Sequence, residues 1–587
     1  MPTKLPPVDV LLVGFGWTAA ILGEELAQAG LEVLALERGQ FRDTVPDFAM
    51  PQIQDELRYA VRHEMFQEPA RQTITFRNNH AQTALPMRRL GSFNPGTGVG
   101  GAGVHWNGQH WRFLPNDFRQ RSHVEERYGA DFIPEGMTIQ DWGVTYEELE
   151  PHFDRFEYLC GTSGVAGNLN GEITAQGNPF EGPRSRDYPN PPLERSLGTL
   201  LFDKAAREAG FHPFPAPASN TSRPYRNPLG VQMGKCTYCG YCEWFGCANY
   251  SKSTPQTTIL PVLLNRSNFS LRTNCNVTRI KLDRSGKRAT GAIYVDSSGE
   301  EHEQPADLVI LSAYATHNVH LLLLSGIGEV YDPKTRSGTL GRNYAYQMVS
   351  GVDVFVEENL NPFMGAGALG QAIDDFNGDN FDHGPHGFIG GAYVALWTTG
   401  GRPILQHQLP QGTPEWGSAW KQAMAENYLR SASLSVHGSV MSYNDAHLDL
   451  DPTYRDAYGD PLMRLTFDFH DNERRMSRFV TARAEEIARA MRPRSYTVNQ
   501  RQGPYSIVPY QTTHNTGGAV MGDDPSTSVV NRYLQHWDVP NLFVMGACVF
   551  PQNAGYNPTG TVGALTYWAA EAIKTRYLKN PGPLVDA

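Results

Sequence analysis

Residues 9–39 read "DVLLVGFGWTAAILGEELAQAGLEVLALERG", and the placing of apolar, glycine and acidic residues in this stretch decides the fold. Asp9 to Val13 opens a short continuous apolar run, the pattern of a strand buried on both faces. The segment after Gly16 has the composition of a helix, and "LEVLALERG" is a second strand. Strand, helix and parallel strand within about 30 residues make a βαβ unit. Gly14 permits the tight turn, Gly16 lets backbone approach a pyrophosphate, and Ala19 keeps the helix close to the sheet. The helix amino terminus supplies donors and positive dipole. Glu37 ends the second strand, where a carboxylate accepts ribose hydroxyls. The unit predicts a Rossmann-like dinucleotide site.

A second glycine cluster, "GTGVGGAGVHWNG" over residues 96–108, has too little side chain to build a core. Gly100 and Gly101, with His105, Trp106 and Asn107 behind them, suit an extended flavin dinucleotide that needs backbone against its pyrophosphate and ring. Farther on, residues 307–312 read as another buried strand of the nucleotide sheet.

The chain has 587 residues, too many for one core, so two large domains are expected. Its net charge of −11 comes without a long run of Lys or Arg, which argues against nucleic acid or an anionic membrane as partner. The longest apolar run, "HLLLLSGIG" from His320, falls far short of the roughly 20 residues of a spanning helix. The opening residues lead straight into a strand and carry no signal-peptide pattern, so unaided export is not expected. Cys160, Cys275 and Cys548 lie far apart and read as buried small hydrophobes.

Near the carboxy terminus, "NLFVMGACVF" (541–550) looks like a buried strand, and an amphipathic helix follows "NPTGT" (557–561). His514, in "HNTGG", and Asn557 sit in loops beside these elements, where catalytic groups are commonly placed. Between them and the nucleotide unit, "SGVDVFVE" (350–357) and "LMRLTFDFHD" (462–471) alternate with period two and predict an antiparallel sheet roofing the site. His437, His447 and His470 fall in that segment and read as solvent-facing or core side chains.

Four of the seven cysteines crowd into "KCTYCGYCEWFGCANY" (235–250), at Cys236, Cys239, Cys242 and Cys247. Structural zinc usually takes two CxxC pairs on separate knuckles with a long spacer, which is missing. Two disulfides in so short a loop would close small, strained rings. The tight run has ferredoxin-like spacing, in which one loop wraps an iron–sulfur cluster. Zinc and plain thiols stay open as alternatives.

Taken together these segments resemble the glucose–methanol–choline (GMC) oxidoreductases. The amino-terminal unit resembles that family's FAD fingerprint, and "GVGGAGVHWNG" its second glycine motif. "HNVHLLLLSGIG" with "LGRNYAYQ" resembles its paired middle motifs, and residues 513–561 its long carboxy-terminal signature. "CGYCEWFGC" and "YSKSTPQTTILPVL" narrow the likeness to flavoprotein subunits of membrane-linked sugar dehydrogenases of the gluconate 2-dehydrogenase type.

The resemblance implies an α/β fold: a Rossmann-like FAD domain from residues 1–160, 265–345 and 506–587, a connecting region 161–264, and an α+β substrate domain on an antiparallel sheet over 346–505. It implies FAD, held also by Val277, Ala547 and Thr559 and open to covalent attachment through His105. His514 becomes the base for a substrate hydroxyl, with Asn557 bonding the same oxygen. The cysteines become ligands of a [3Fe–4S] cluster, with Cys239 the spare one. Substrates are sugars, sugar acids (gluconate at C2 first) or glycosides. Partners are a small export subunit and a cytochrome c subunit, and the place is the periplasmic face of the inner membrane, with the cytoplasm as alternative. Competing readings are an oxygen-using oxidase and a non-catalytic, zinc-bearing assembly subunit.

Overall fold

The computed structural model describes residues 2–50, 55–402, 404 and 408–586. Five parallel strands form the heart of the first sheet, in the order Phe269–Arg272, Val33–Leu36, Val8–Val13, Glu301–Leu311 and Leu542–Val544. Val10–Val13, Val33–Leu36 and Leu308–Leu311 are 3% exposed or less, so this sheet is covered on both faces, as continuous apolar runs require. The helix Trp17–Gln28 makes the crossover between the first two strands. The early half of Glu301–Leu311 leaves the parallel part and pairs antiparallel with Ala289–Val295, which pairs with Asn276–Leu282.

The helix Thr559–Ala572 lies against Trp17–Gln28 and Tyr146–Cys160. The sequence suggests an amphipathic helix here, but ten of its fourteen residues are buried. It is rich in Ala and Gly, which lets neighbouring backbones close around it on every side.

A second, antiparallel sheet runs in the order Ser495–Asn499, Met348–Phe355, Ser431–Gly438, Ala392–Thr399, Gly365–Ile373 and Phe214–Pro215. Its alternation sorts two faces. Val352, Val354, Leu434 and Val436 are buried and pack toward the helix Asp471–Ala490, whose Met476, Val480, Ala484 and Ile487 form its apolar stripe. The register pairs Val349 with His437 and Gly351 with Ser435, and Tyr393 with His437 and Ala395 with Ser435, on the opposite face.

One expectation is corrected. "SGVDVFVE" belongs to this sheet, but "LMRLTFDFHD" does not: its strand, Pro461–Thr466, pairs with His447–Arg455 and with Thr75–Arg77 in a separate four-stranded sheet. Its last residue, Asp471, begins the helix. Period-two alternation marks a strand with one wet face and says nothing of its partners.

Candidate active site

Between the two sheets lies a cavity of about 710 Å³. Gly14, Gly16, Glu37, Gly101, His105, Trp106, Asn107, Val277, His514, Ala547, Asn557 and Thr559, from five widely separated segments, all line it. Ala19 and Gly100 do not. Ala19 is fully buried in the helix behind the glycine turn. Gly100 sits under its own loop, where Gly100 N–H bonds the Phe15 carbonyl.

The two glycine loops meet. Gly14 has φ +85°, and a Cβ there would lie 2.7 Å from Ala313 Cα. A Cβ on Gly101 (φ +51°) would come 3.3 Å from Gly16 Cα, while one on Gly16 meets nothing within 4 Å. Gly16 therefore presents bare backbone to open space at a helix amino terminus, which is where a phosphate binds. Glu37 joins these loops: its carboxylate accepts from Phe15 N at 2.9 Å, Gly39 N at 2.8 Å and Gly98 N at 3.2 Å. Oε1 takes the two glycine N–H groups, and Oε2, with one bond from Phe15, keeps a lone pair for a ligand hydroxyl.

At the far end, Asn557 Nδ2 lies 3.1 Å from His514 Nε2. The other ring nitrogen, Nδ1, is 2.5 Å from Gln347 Oε1. Gln347 cannot turn, because its Nε2 reaches the carbonyls of Ala554, Gly555 and Tyr556 at 2.8 to 3.0 Å. Its oxygen must face the ring, so the network places the His514 proton on Nδ1 and leaves a lone pair on Nε2. Tyr393 OH lies 3.0 Å from both Asn557 Oδ1 and Gln109 Oε1, and donation of its one proton to Asn557 keeps that amide nitrogen toward His514. Burial, with a smaller contribution from His437, pushes the His514 imidazole down to about 3. An ordinary histidine value near 6.5 is the sequence expectation; the walled cavity overturns it by disfavouring the charged ring.

Gln347 and Tyr393 escape a motif reading, although Gln347 ends the quoted "LGRNYAYQ". His437 corrects the expectation set for it: it lines the cavity and stacks on Tyr393 at 5.1 Å and 12°. His447 and His470 are structural, as expected. The first stacks on His80 at 5.1 Å and the second on Tyr443 at 3.6 Å, outside the cavity.

The four cysteines of the 235–250 loop stand beside this cavity without lining it. Trp244 N–H bonds the carbonyl of His105 at 2.7 Å, and Trp244 and Glu243 do line the cavity. All seven cysteines are free thiols. N–H groups point at three loop sulfurs: Tyr238 N to Cys236 Sγ (3.5 Å), Asn220 Nδ2 to Cys242 Sγ (3.6 Å) and Lys252 N to Cys247 Sγ (3.4 Å). Burial pushes the Cys236, Cys239 and Cys242 thiols up, to about 11 at Cys242. Lys252 is fully buried, and its ammonium donates to the carbonyls of Trp106 (2.9 Å), Cys242 (2.7 Å) and Phe245 (2.7 Å).

Among the described residues the one trio whose donor atoms all lie within 4.8 Å of one another is Asp296, Glu300 and His302, far from this loop in sequence. Three thiolates on one zinc ion stand about 3.8 Å apart, given Zn–S near 2.3 Å. No three sulfurs of the loop form such a group among the described residues. No described helix is long and apolar enough to cross a membrane.

Comparisons with known proteins agree with this geometry. Family models described as GMC oxidoreductase match residues 219–349 and 442–566. The chain is 52% identical to the gluconate 2-dehydrogenase flavoprotein of Pantoea cypripedii over all of its own length and 96% of the relative's. It is 25% identical to the fructose dehydrogenase large subunit of Gluconobacter japonicus, covering 98% of this chain and 99% of that one. Its fold matches that of a formate oxidase variant of Aspergillus oryzae with a TM-score of 0.56 at 15% identity, over 98% of this chain and 99% of the other. The chain belongs to the GMC oxidoreductases, FAD-binding enzymes that act on CH–OH groups.

Proposed function

We propose that the chain is the flavoprotein of a dehydrogenase that oxidises a secondary hydroxyl of a sugar acid, gluconate at C2 foremost. The observation that carries this reading is the His514–Asn557 pair facing the cavity with its tautomer held by Gln347. The relative named gluconate 2-dehydrogenase flavoprotein supports the substrate class.

The two glycine loops would hold FAD, which when bound would supply the two-electron acceptor. Gly14, Gly16, Glu37, Gly101, Trp106, Asn107, Val277, Ala547 and Thr559 would hold it, with Ala19 keeping the helix in place and Gly100 tying the second glycine loop to Phe15 from behind. His105 Nε2 is buried and has no hydrogen-bond partner, and the ring lines the cavity. That orphaned nitrogen suits a covalent link to the flavin, and acid-precipitated protein is then expected to stay yellow.

The chain's own work is proton transfer and placement. His514 Nε2 accepts the hydroxyl proton as the C–H bond breaks and the C=O bond forms. Asn557 Nδ2 donates to the same oxygen and aims the carbon; such alignment contributes several kcal/mol to lowering the barrier. Since burial keeps the ring neutral down to about pH 3, the base is ready throughout the physiological range. Gln347 Oε1, aimed at Nδ1–H, stabilises the positive charge that the ring takes on.

We further assign Cys236, Cys242 and Cys247 as ligands of an iron–sulfur cluster of the [3Fe–4S] type, with Cys239 spare. Two features of the loop suit it. Three sulfurs already receive N–H donors, and the buried Lys252 ammonium has neutral carbonyls as its hydrogen-bond partners, so an anionic thiolate centre beside it would balance a costly buried charge. Such a cluster supplies one-electron carriage to an external acceptor. A cytochrome c subunit as acceptor, a small export subunit, and the periplasmic face of the inner membrane complete the reading; the fructose dehydrogenase relative is itself named a large subunit.

The test is anaerobic reduction of the bound flavin by gluconate, glucose, sorbitol and glucosides. Gluconate is expected to bleach it fastest. Failure of every member to do so overturns the reading, and rapid oxygen consumption with substrate favours an oxidase instead.

A further inference from the structure

His437 lies in the strand Ser431–Gly438, whose Ser431, Ser433, Ser435 and His437 line the cavity. Their neighbours Leu434 and Val436 point into the core on the other face. Gly351 and Ala395 stand beside Ser435 in register on the same face of the sheet. The roof strand over the site thus offers serines and one histidine, and no acidic or basic side chain, beside the apolar Val349, Leu396 and Trp397 of its neighbours. Of the described residues that line the cavity, Arg38 alone carries a permanent positive charge. It is engaged near Glu37, where it bonds Gln67 Oε1 and His317 Nε2. The two ends of the cavity thus differ, and the substrate end must recognise an oxygen-rich molecule with neutral donors.

The two histidines at that end differ in which nitrogen is free. His514 is fixed through Nδ1, leaving Nε2 as an acceptor. In His437, Nδ1 is buried and has no hydrogen-bond partner. A buried N–H without an acceptor is rarer and more costly than a buried lone pair, so the ring holds its proton on Nε2. Tyr393 packs flat against this ring, and its hydroxyl bonds Asn557, which places His437 one side chain away from the reacting oxygen.

Resting on the function proposed above, we propose that His437 is a substrate-binding donor: its Nε2–H holds an oxygen on the carbon next to the one oxidised, which in gluconate is the C1 carboxylate. His514 and His437 then meet substrate in opposite tautomers, one taking a proton and the other offering a hydrogen bond. The same donor gives preference for substrates with vicinal oxygens over simple secondary alcohols.

The experiment is His437→Phe, which keeps a flat ring against Tyr393 and removes the donor, assayed by anaerobic flavin reduction with gluconate and with 2-butanol. FAD content and Tm are measured alongside. A lost hydrogen bond to a carboxylate predicts kcat/KM for gluconate lower by about 10- to 100-fold, carried mainly by KM, with 2-butanol changed by less than about threefold. An equal loss on both substrates, or a gluconate loss under about threefold, overturns the proposal. Should gluconate fail to reduce the wild-type flavin at all, it is the function that falls; the comparison then runs with whichever vicinal polyol does reduce it, and the same two outcomes decide His437. His437→Gln, which restores an amide donor, is expected to recover part of the gluconate rate and guards against a folding artefact.

Discussion

The cavity around His514 and the cysteine loop beside it are built on opposite principles. Every polar atom that orients His514 is already satisfied: Gln347 on three carbonyls, Asn557 on Tyr393, and both histidine nitrogens on amides. The loop at 235–250 instead turns through left-handed residues at Tyr238, Gly240, Trp244 and Tyr250, keeps its thiols free and packs them around a lysine whose hydrogen bonds go to carbonyls. A site completed by protein alone is pre-organised. On the proposal made above, a site with a buried cation and raised thiols would be finished by what it binds.

The comparison breaks first at His514. His514→Ala should slow flavin reduction by about 10²- to 10⁴-fold while FAD stays bound, read by stopped-flow absorbance. An unchanged rate removes the base. Next, if the loop serves the exit and not the chemistry, as proposed, Cys242→Ser should leave that half-reaction within about threefold and lower turnover with a one-electron acceptor by tenfold or more. Equal loss in both assays would mean that the two regions are one.

Gln347→Leu sharpens the contrast within the cavity. It frees the His514 ring and strips donors from three buried carbonyls, so kcat should fall about 10- to 100-fold, or about 1.4–2.8 kcal/mol. The last expectation concerns stability and leaves the rate comparison untouched. His105 is held down to about 3, and His110 and His536 to about 4, by burial. With folded values below the unfolded value near 6.5, the unfolded chain binds more protons as pH falls. Stability is therefore intact above about pH 6.5 and is lost downward toward pH 4, by up to about 1.4 kcal/mol per pH unit for each ring. A scan of Tm against pH reads this. By the same sign, kcat/KM should show no acid limb near 6.5 from His514.

How much of this was legible in the sequence follows from what makes each part. The βαβ unit was readable because its turn, helix and strand are local, and the glycines that line the cavity stand in short motifs. His514 and Asn557 were readable because they sit in loops with no packing task. Gln347, Tyr393 and His437 were not: they converge only after an antiparallel sheet has paired residues more than forty positions apart. The strand at 461–466 shows the same limit, since alternation fixed its faces and left its partners open. The depressed His514 value was likewise invisible, because burial belongs to the fold.

The central proposal is that a thiolate-held metal centre completes the loop beside a cavity whose base is oriented by protein groups alone. Iron and acid-labile sulfide analysis of air-protected protein, with low-temperature electron paramagnetic resonance on the same sample, tests it directly. The account predicts about three iron and four sulfide per chain and a cluster signal that Cys242→Ser abolishes while FAD content holds. Protein that binds FAD and reduces it with substrate, yet contains zinc or no metal at all, contradicts it.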